Sequence, residues 1–176
     1  MRTREVTLRD GARVLLRPLQ PEDAALYPDF LANVSHDDLR LRFFAPLRQL
    51  SHEMVERLVH YDPARAMAFI ATDLASGRML GVVRLHDDEG GASGEFAIIV
   101  RTELKGHGLG WRMMQHMIAN AKQKGLKSVR GQVLAENATM LAMCEQFGFH
   151  ISDDPIERAV KQVMLPLDEV PAAAMG

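Results

Sequence analysis

The chain has 176 residues, a formal charge of −2 and one-quarter charged side chains, the profile of one ordinary folded domain rather than a disordered or fibrous chain. So small a net charge supplies no field that would drive it onto nucleic acid or an acidic membrane, and no apolar run nears the ~18–20 residues of a membrane span. Met1-Arg2-Thr3-Arg4-Glu5 lacks the apolar segment of a signal peptide and the single cysteine excludes an intrachain disulfide, so a reducing, cytoplasmic location is expected.

Taken in order, Val6 to Arg9 and Arg13 to Arg17 read as a hairpin around Asp10-Gly11, a pair suited to the positive φ of a tight turn. Pro18 ends the second strand. Pro21-Glu22-Asp23 opens a helix expected to run to about Asn33, with proline and acids in its first turn. A second helix starts at Ser35 and ends before Pro46, and a third starts at Ser51 with Met54, Val55, Leu58 and Val59 as its apolar stripe. Met67 to Ala71 and Met79 to Leu85 form a second hairpin around Ser76-Gly77. Gly94 to Val100 is a further strand, followed by a long helix over Leu109 to Lys124 that ends at Gly125. Ser128 to Leu134 is a strand, and Asn137 caps a helix through Phe147 with Gly148 as its terminator. Strands over Phe149 to Ser152 and Ala159 to Leu165 complete the expected domain, 1–165, and the Pro/Ala-rich stretch 166–176 is expected to be a disordered tail. The pattern is α/β of the α+β kind, with no internal repeat.

The stretch that organises the rest is Arg101 to Trp111, Arg-Thr-Glu-Leu-Lys-Gly-His-Gly-Leu-Gly-Trp. Strand, glycine-rich loop, helix is the order in which a backbone builds an anion site. Gly106, Gly108 and Gly110 permit positive φ and keep side chains away, and the first helical turn adds unpaired N–H donors and the positive dipole end. A P-loop would need Lys-Ser/Thr after its glycines, and a dinucleotide fingerprint would need a different glycine spacing.

The spacing Lys105-Gly106-His107-Gly108-Leu109-Gly110 resembles the pyrophosphate loop of the GNAT acetyltransferase superfamily. The element order is similar to that family's from end to end, apart from the tail. The chain resembles most closely the acetyltransferase domain of bacterial Pat-type protein-lysine acetyltransferases, in several stretches. These are Arg17-Pro18 with Pro21-Glu22-Asp23, Leu41-Arg42-Phe43-Phe44 with Pro46-Leu47-Arg48, Leu50-Ser51-His52-Glu53, Ala97 to Gly110, and Leu134-Ala135-Glu136-Asn137 with Met140-Leu141 and Phe147-Gly148-Phe149. The resemblance implies a GNAT fold, with a central mixed, mostly antiparallel sheet flanked by helices and strands splayed where coenzyme A binds. Pat-type proteins often join this domain to a synthetase-like or cyclic-nucleotide-binding region, and neither is expected in these residues.

The resemblance further implies acetyl-CoA as co-substrate, held by the loop from Lys105 through Gly106, His107, Gly108, Leu109 and Gly110 to Trp111. Its pantetheine arm is expected along Ile98, Ile99 and Val100, on backbone groups freed by splaying, for which a β-bulge is the usual device. Asn137 is first a helix cap; a hydrogen bond to pantetheine comes from the resemblance. A lysine amine, with pKa ≈ 10.4, must lose a proton before it attacks. Glu95 is the only acid on the strand that feeds the site, and the matching glutamate is the proposed general base of Pat-type enzymes. Where many relatives carry an acidic tyrosine, this chain has Cys144, which is either a proton donor or a packed core residue.

Arg101, Lys105, His107 and Arg112 cluster in sequence around the loop and suit the CoA phosphates. His36-Asp37-Asp38 and His86-Asp87-Asp88 lack a partner histidine at i+4 and read as caps and loops, so no metal is expected. The expected activity is acetyl transfer to protein lysine. A small primary amine (polyamine, amino acid or aminoglycoside) and a non-catalytic acetyl-CoA-binding regulatory domain are the alternatives. Monomer and homodimer are both open.

Overall fold

The computed structural model describes residues 1–44 and 49–168. Eight strands form one sheet in the order β1-β2-β3-β4-β5-β6-β8-β7. They are β1 (Arg4–Thr7), β2 (Arg13–Pro18), β3 (Ala66–Asp73), β4 (Met79–Asp87), β5 (Ser93–Val100), β6 (Ser128–Leu134), β7 (His150–Asp153) and β8 (Val160–Pro166). Every neighbouring pair is antiparallel except β5 and β6, which run parallel because α4 (Leu109–Lys124) crosses between them. The sheet is therefore mixed and mostly antiparallel, with helices on both faces, as a GNAT fold requires.

The helices follow their local chemistry. Ser35 caps α2 (His36–Phe43) by accepting from the Asp38 N–H, and Ser51 caps α3 (His52–Val59) by accepting from the Met54 N–H. Asn137 does the same for α5 (Ala138–Phe147), through the Met140 N–H at 3.2 Å. The single helix expected over Pro21 to Asn33 is instead a 3-10 turn, Pro21–Leu26, followed by α1 (Tyr27–Ala32). Pro28 has no N–H to continue the ladder from the preceding turn and is tolerated in the first turn of a new helix, so the two segments meet there. Helix α2 ends at Phe43 with Phe44 as its left-handed C-cap, before Pro46 as expected, and residues 169–176 of the expected tail lie outside the described residues. Ordered chain runs past the boundary expected at 165. Pro166 closes β8, and Leu167 is buried and donates its N–H to the Lys127 carbonyl at 2.9 Å.

Strand β3 is buried on both faces, which is why it reads as an unbroken apolar run. Met67, Phe69 and Ala71 face a core shared with Met113, Met114 and Met117 of α4. Ala68 and Ile70 face a second core built with Tyr27, Phe30 and Leu39 of α1 and α2. Cys144 of α5 belongs to the first core and is fully buried.

Strands β5 and β6 pair at only three positions, Ser93 with Ser128, Gly94 with Val129 and Glu95 with Arg130. Beyond them β5 continues to Val100 paired with β4 alone, while β6 pairs with β8. The next pair would be Phe96 with Gly131. A Cβ on Gly131 would lie 2.6 Å from the Phe96 ring, which packs edge-on against Phe149 with centroids 5.6 Å apart. An aromatic ring thus fills the space where a sixth-strand side chain would stand, and the strands part beside it. The expected bulge is not the device: the β4–β5 register is unbroken from Gly94 to Val100, and the irregularity falls instead between β3 and β4, at Leu80.

Gly131→Ala should lower stability by about 1–3 kcal/mol, the range for overpacking a filled core. Urea titration should show a lower midpoint at unchanged slope, and a wild-type midpoint would refute this account of the wedge. Burial pushes the Cys144 thiol up from 9.0 to about 12, so the folded state holds this proton more tightly than the unfolded chain does. That stabilisation is intact below about pH 9 and is lost as pH rises toward about 12. Over this window wild-type stability should fall more steeply with pH than that of Cys144→Ala; equal slopes would contradict the assignment.

Candidate active site

The loop after β5 is held from behind. Arg101, fully buried, donates from Nε to the Met79 carbonyl at 2.7 Å and from Nη2 to Asp29 at 2.5 Å. Its guanidinium therefore anchors the loop to α1 and β4, and does not join the phosphate-facing cluster expected of it. Thr102 donates from its hydroxyl to Asp38 at 2.6 Å, and Lys105 makes an ion pair with the same carboxylate. These contacts latch the loop to the first turn of α2.

Gly106 and Gly108 have φ of 84° and 89°, a region that other residues rarely adopt. Gly110 does not share it: it is the second residue of α4, and its open side faces the cleft. Gly108 is the N-cap of α4, and no side chain caps that helix. Its first N–H groups, with the positive end of the helix dipole, are left to an outside acceptor.

A cleft of about 900 Å³ opens along this loop and the parted strands. Glu95, Ile98, Ile99 and Val100 line it from β5, and Lys105, Gly106, Gly108, Gly110 and Trp111 line it from the loop and α4. Asn137 lines it from the start of α5. Beyond Glu95 the β5 edge has no strand partner on this side, so its backbone groups face the cleft.

Three expected site residues stand elsewhere. Leu109 is fully buried in the core. His107 turns toward the first hairpin, with Nδ1 3.6 Å from Asp10. Cys144 lies in the core, its thiol held neutral by burial. Trp111 is both wall and packing, with its indole stacked on Phe147 at 3.8 Å. Arg112 stays beside its own helix, 3.4 Å from Gln115.

Glu95 is exposed and, among the described residues, its carboxylate makes no hydrogen bond or ion pair. Its cross-strand neighbour Arg130 is held by Asp88 at 2.5 Å, which leaves the Glu95 carboxylate available. Two cations reach the cleft from distant parts of the chain. Arg9, on the first hairpin, has its Nε 3.9 Å from where a Cβ on Gly108 would sit. Arg42 lines the wall from α2. No spacing in the sequence marks either, because each reaches the site only through tertiary folding. Arg40 of α2 and Glu136, just before α5, join the two sides of the cleft at 2.6 Å. The arrangement offers anion-binding N–H groups at one end, free strand backbone along its length and an unpaired carboxylate at the other. Among the described residues no cluster of three or more His, Cys, Asp or Glu could hold a metal, and no helix is long and apolar enough to cross a membrane.

Comparison with known proteins agrees with this geometry. Acetyltransferase PA5475 of Pseudomonas aeruginosa is 29% identical over 153 residues, covering 85% of this chain and 81% of its own. The GNAT domain of S. lividans PAT superposes with a TM-score of 0.85 at 27% identity, over 93% of this chain and 96% of that one. Spermidine N-acetyltransferase from Vibrio cholerae, solved with CoA and spermine, shares the fold with a TM-score of 0.73 at 20% identity, covering 89% and 96%. Residues 13–150 match the family model for the acetyltransferase (GNAT) domain, and the chain belongs to that family of acyl-CoA-dependent N-acetyltransferases.

Proposed function

We propose that this enzyme transfers acetyl from acetyl-CoA directly to the side-chain amine of protein lysines, with Glu95 as general base. The observation that carries the mechanism is the free Glu95 carboxylate at the point where β5 parts from β6. A thioester lying along the open β5 edge would present its carbonyl beside that carboxylate. The N–H groups at the start of α4, with Arg9 and Lys105 nearby, suit a diphosphate, and the freed backbone of Ile98 to Val100 suits the amide groups of pantetheine.

Glu95 takes the ammonium proton, directly or through one water, and the neutral amine attacks the thioester carbon. The N–C bond forms, a β5 backbone N–H stabilises the transient oxyanion, the nitrogen loses its second proton to solvent, and the C–S bond breaks. CoA leaves as thiolate and takes its proton from solvent, since Cys144 faces the core and its thiol is pushed up to about 12. Protein lysine is favoured by the Pat-like stretches of α2 and α3. A polyamine is disfavoured, because Arg42 and Arg84 on the acceptor side would repel a second ammonium. A purely regulatory acetyl-CoA binder would have no use for the free carboxylate.

Purified enzyme incubated with acetyl-labelled CoA and a cell lysate should place label in the protein fraction. Label confined to small molecules would overturn the protein acceptor. Glu95→Gln should lower kcat about 10²–10⁴-fold, the usual share of a general base, while leaving the Kd for acetyl-CoA unchanged. Near-normal turnover would refute the base assignment. Arg9→Ala should weaken acetyl-CoA binding about three- to tenfold, an exposed charge-assisted contact, and the loss should shrink at high salt. Unchanged affinity at low salt would remove Arg9 from the phosphate site.

A further inference from the structure

Side chains alternate along β5, so Glu95, Ala97 and Ile99 share the face turned toward α1 and α2. On neighbouring β4, Arg84 stands opposite Ala97. Arg42 of α2 reaches the same spot from above, lining both the main cleft and a smaller cavity behind it. Ala97 and Ile99 also line both spaces, so the two cavities share a wall at this point.

These two arginines carry charge deep in the fold, the burial lowering both guanidinium pKa values. Arg17, Arg40, Arg78, Arg101 and Arg130 each hold a carboxylate. Among the described residues, Arg42 and Arg84 hold none. Arg84 donates to the Leu58 carbonyl at 2.7 Å, and the Arg42 guanidinium lies 4.5 Å over the Phe43 ring. Burial, and then the like charge of Arg84, push the Arg42 guanidinium down to about 10. The nearby Glu95 charge offsets this in part without forming an ion pair, and two neighbouring half-buried cations with no ion-paired anion form a costly arrangement.

A third group points the same way. The Tyr27 hydroxyl is buried against Arg84, whose guanidinium is its one polar neighbour, in a geometry short of a well-formed hydrogen bond. It borders the small cavity, whose volume of about 10 Å³ is the room of a single water. An anion seated on Arg42 in the main cleft would give that guanidinium an ion-paired partner and would approach Arg84 and this hydroxyl, directly or through a water in the small cavity.

We propose that Arg42 and Arg84 form a carboxylate-binding subsite beside Glu95, filled by a carboxylate on the acceptor amine or on the transferred acyl chain. The subsite rests on the reading of Glu95 as the base, because it is defined by its place next to the reacting amine. Glu95 and Ala97 are two residues apart on one strand face, about 6.6 Å. A molecule with an amine and a carboxylate separated by a few bonds spans that distance, and so does a four-carbon dicarboxylic acyl group.

The test compares two pairs of substrates by initial rates of CoA release. L-lysine against cadaverine differs only in the acceptor carboxylate. Succinyl-CoA against acetyl-CoA, both with cadaverine, differs in the acyl carboxylate and one methylene, and propionyl-CoA controls for the methylene. Wild type should favour the carboxylate-bearing member of one pair by about tenfold or more in kcat/KM, as expected of a charge-assisted hydrogen bond, and that pair names the source. Arg42→Gln should bring the ratio close to one while Arg42→Lys keeps part of it, and Arg84→Gln serves as the second variant should Arg42→Gln misfold. Ratios near one in both wild-type pairs, or a preference that survives both Gln variants, would overturn the proposal. Calorimetric binding of Nε-acetyl-L-lysine against N-acetylcadaverine to the CoA-bound enzyme, and of succinyl-CoA against acetyl-CoA to the free enzyme, reads the same ratios without turnover. A carboxylate preference in binding with no transfer to any amine would sink the base assignment and leave the subsite standing.

Discussion

The structure depends on one steric fact, the Phe96 ring lying over Gly131 where the two parallel strands would otherwise keep pairing. A sheet normally satisfies every backbone group in its interior, and unpaired ones are costly when buried. Here the cost is avoided by opening the gap to a cleft rather than to the core. The same separation leaves Glu95 at the last paired position, so the carboxylate stands at the mouth of the gap. Both consequences follow from a ring on one strand and a missing side chain on its neighbour.

The anion end of the cleft is organised by a different principle. A loop rich in glycine is floppy, and an N–H nest works only if its donors already point inward. Rigidity comes from beneath and from the side. Buried Arg101 ties the loop to Asp29 and Met79, and Asp38 gathers Thr102 and Lys105. Asp38 also offsets the Lys105 charge, so the positive field there comes from the α4 terminus and Arg9 together. The reacting end has the opposite balance, with the Glu95 carboxylate and the Arg42 guanidinium sharing the cleft without an ion pair between them.

Much of the fold was legible because it is written in short-range signals. The bounds of α4 and β6 follow from apolar period, from Gly108 and Gly125, and from the Ser128 to Leu134 run. Ser35, Ser51 and Asn137 cap where hydroxyl and amide side chains should. The break at Pro28 was visible as a residue but outweighed by the surrounding helical pattern. Side-chain direction was less legible than position. Arg101 follows β5 directly, so sequence places it beside the loop, yet its guanidinium turns inward to the core. His107 and Leu109 alternate with the glycines and still face away from the cleft. Cys144 sits at the position of a familiar acid, but its helix turns that face to the core. Arg9, Arg42 and Arg84 come from three separate parts of the chain, and only folding brings the first two to the cleft and Arg84 to the cavity behind it. The same holds for the wedge: neither Phe96 nor Gly131 signals in sequence that strands will part between them.

The central claim is that the parted β5 edge and the α4 terminus together hold acetyl-CoA. Amide hydrogen exchange with and without saturating acetyl-CoA tests it most directly, because it reads the backbone groups that the claim concerns. The account predicts slowed exchange in two separate segments, Ile98 to Val100 and Gly106 to Trp111, with the far edge strands β1 and β7 unchanged. Protection confined to the loop, with the β5 edge exchanging as in the free enzyme, would contradict it.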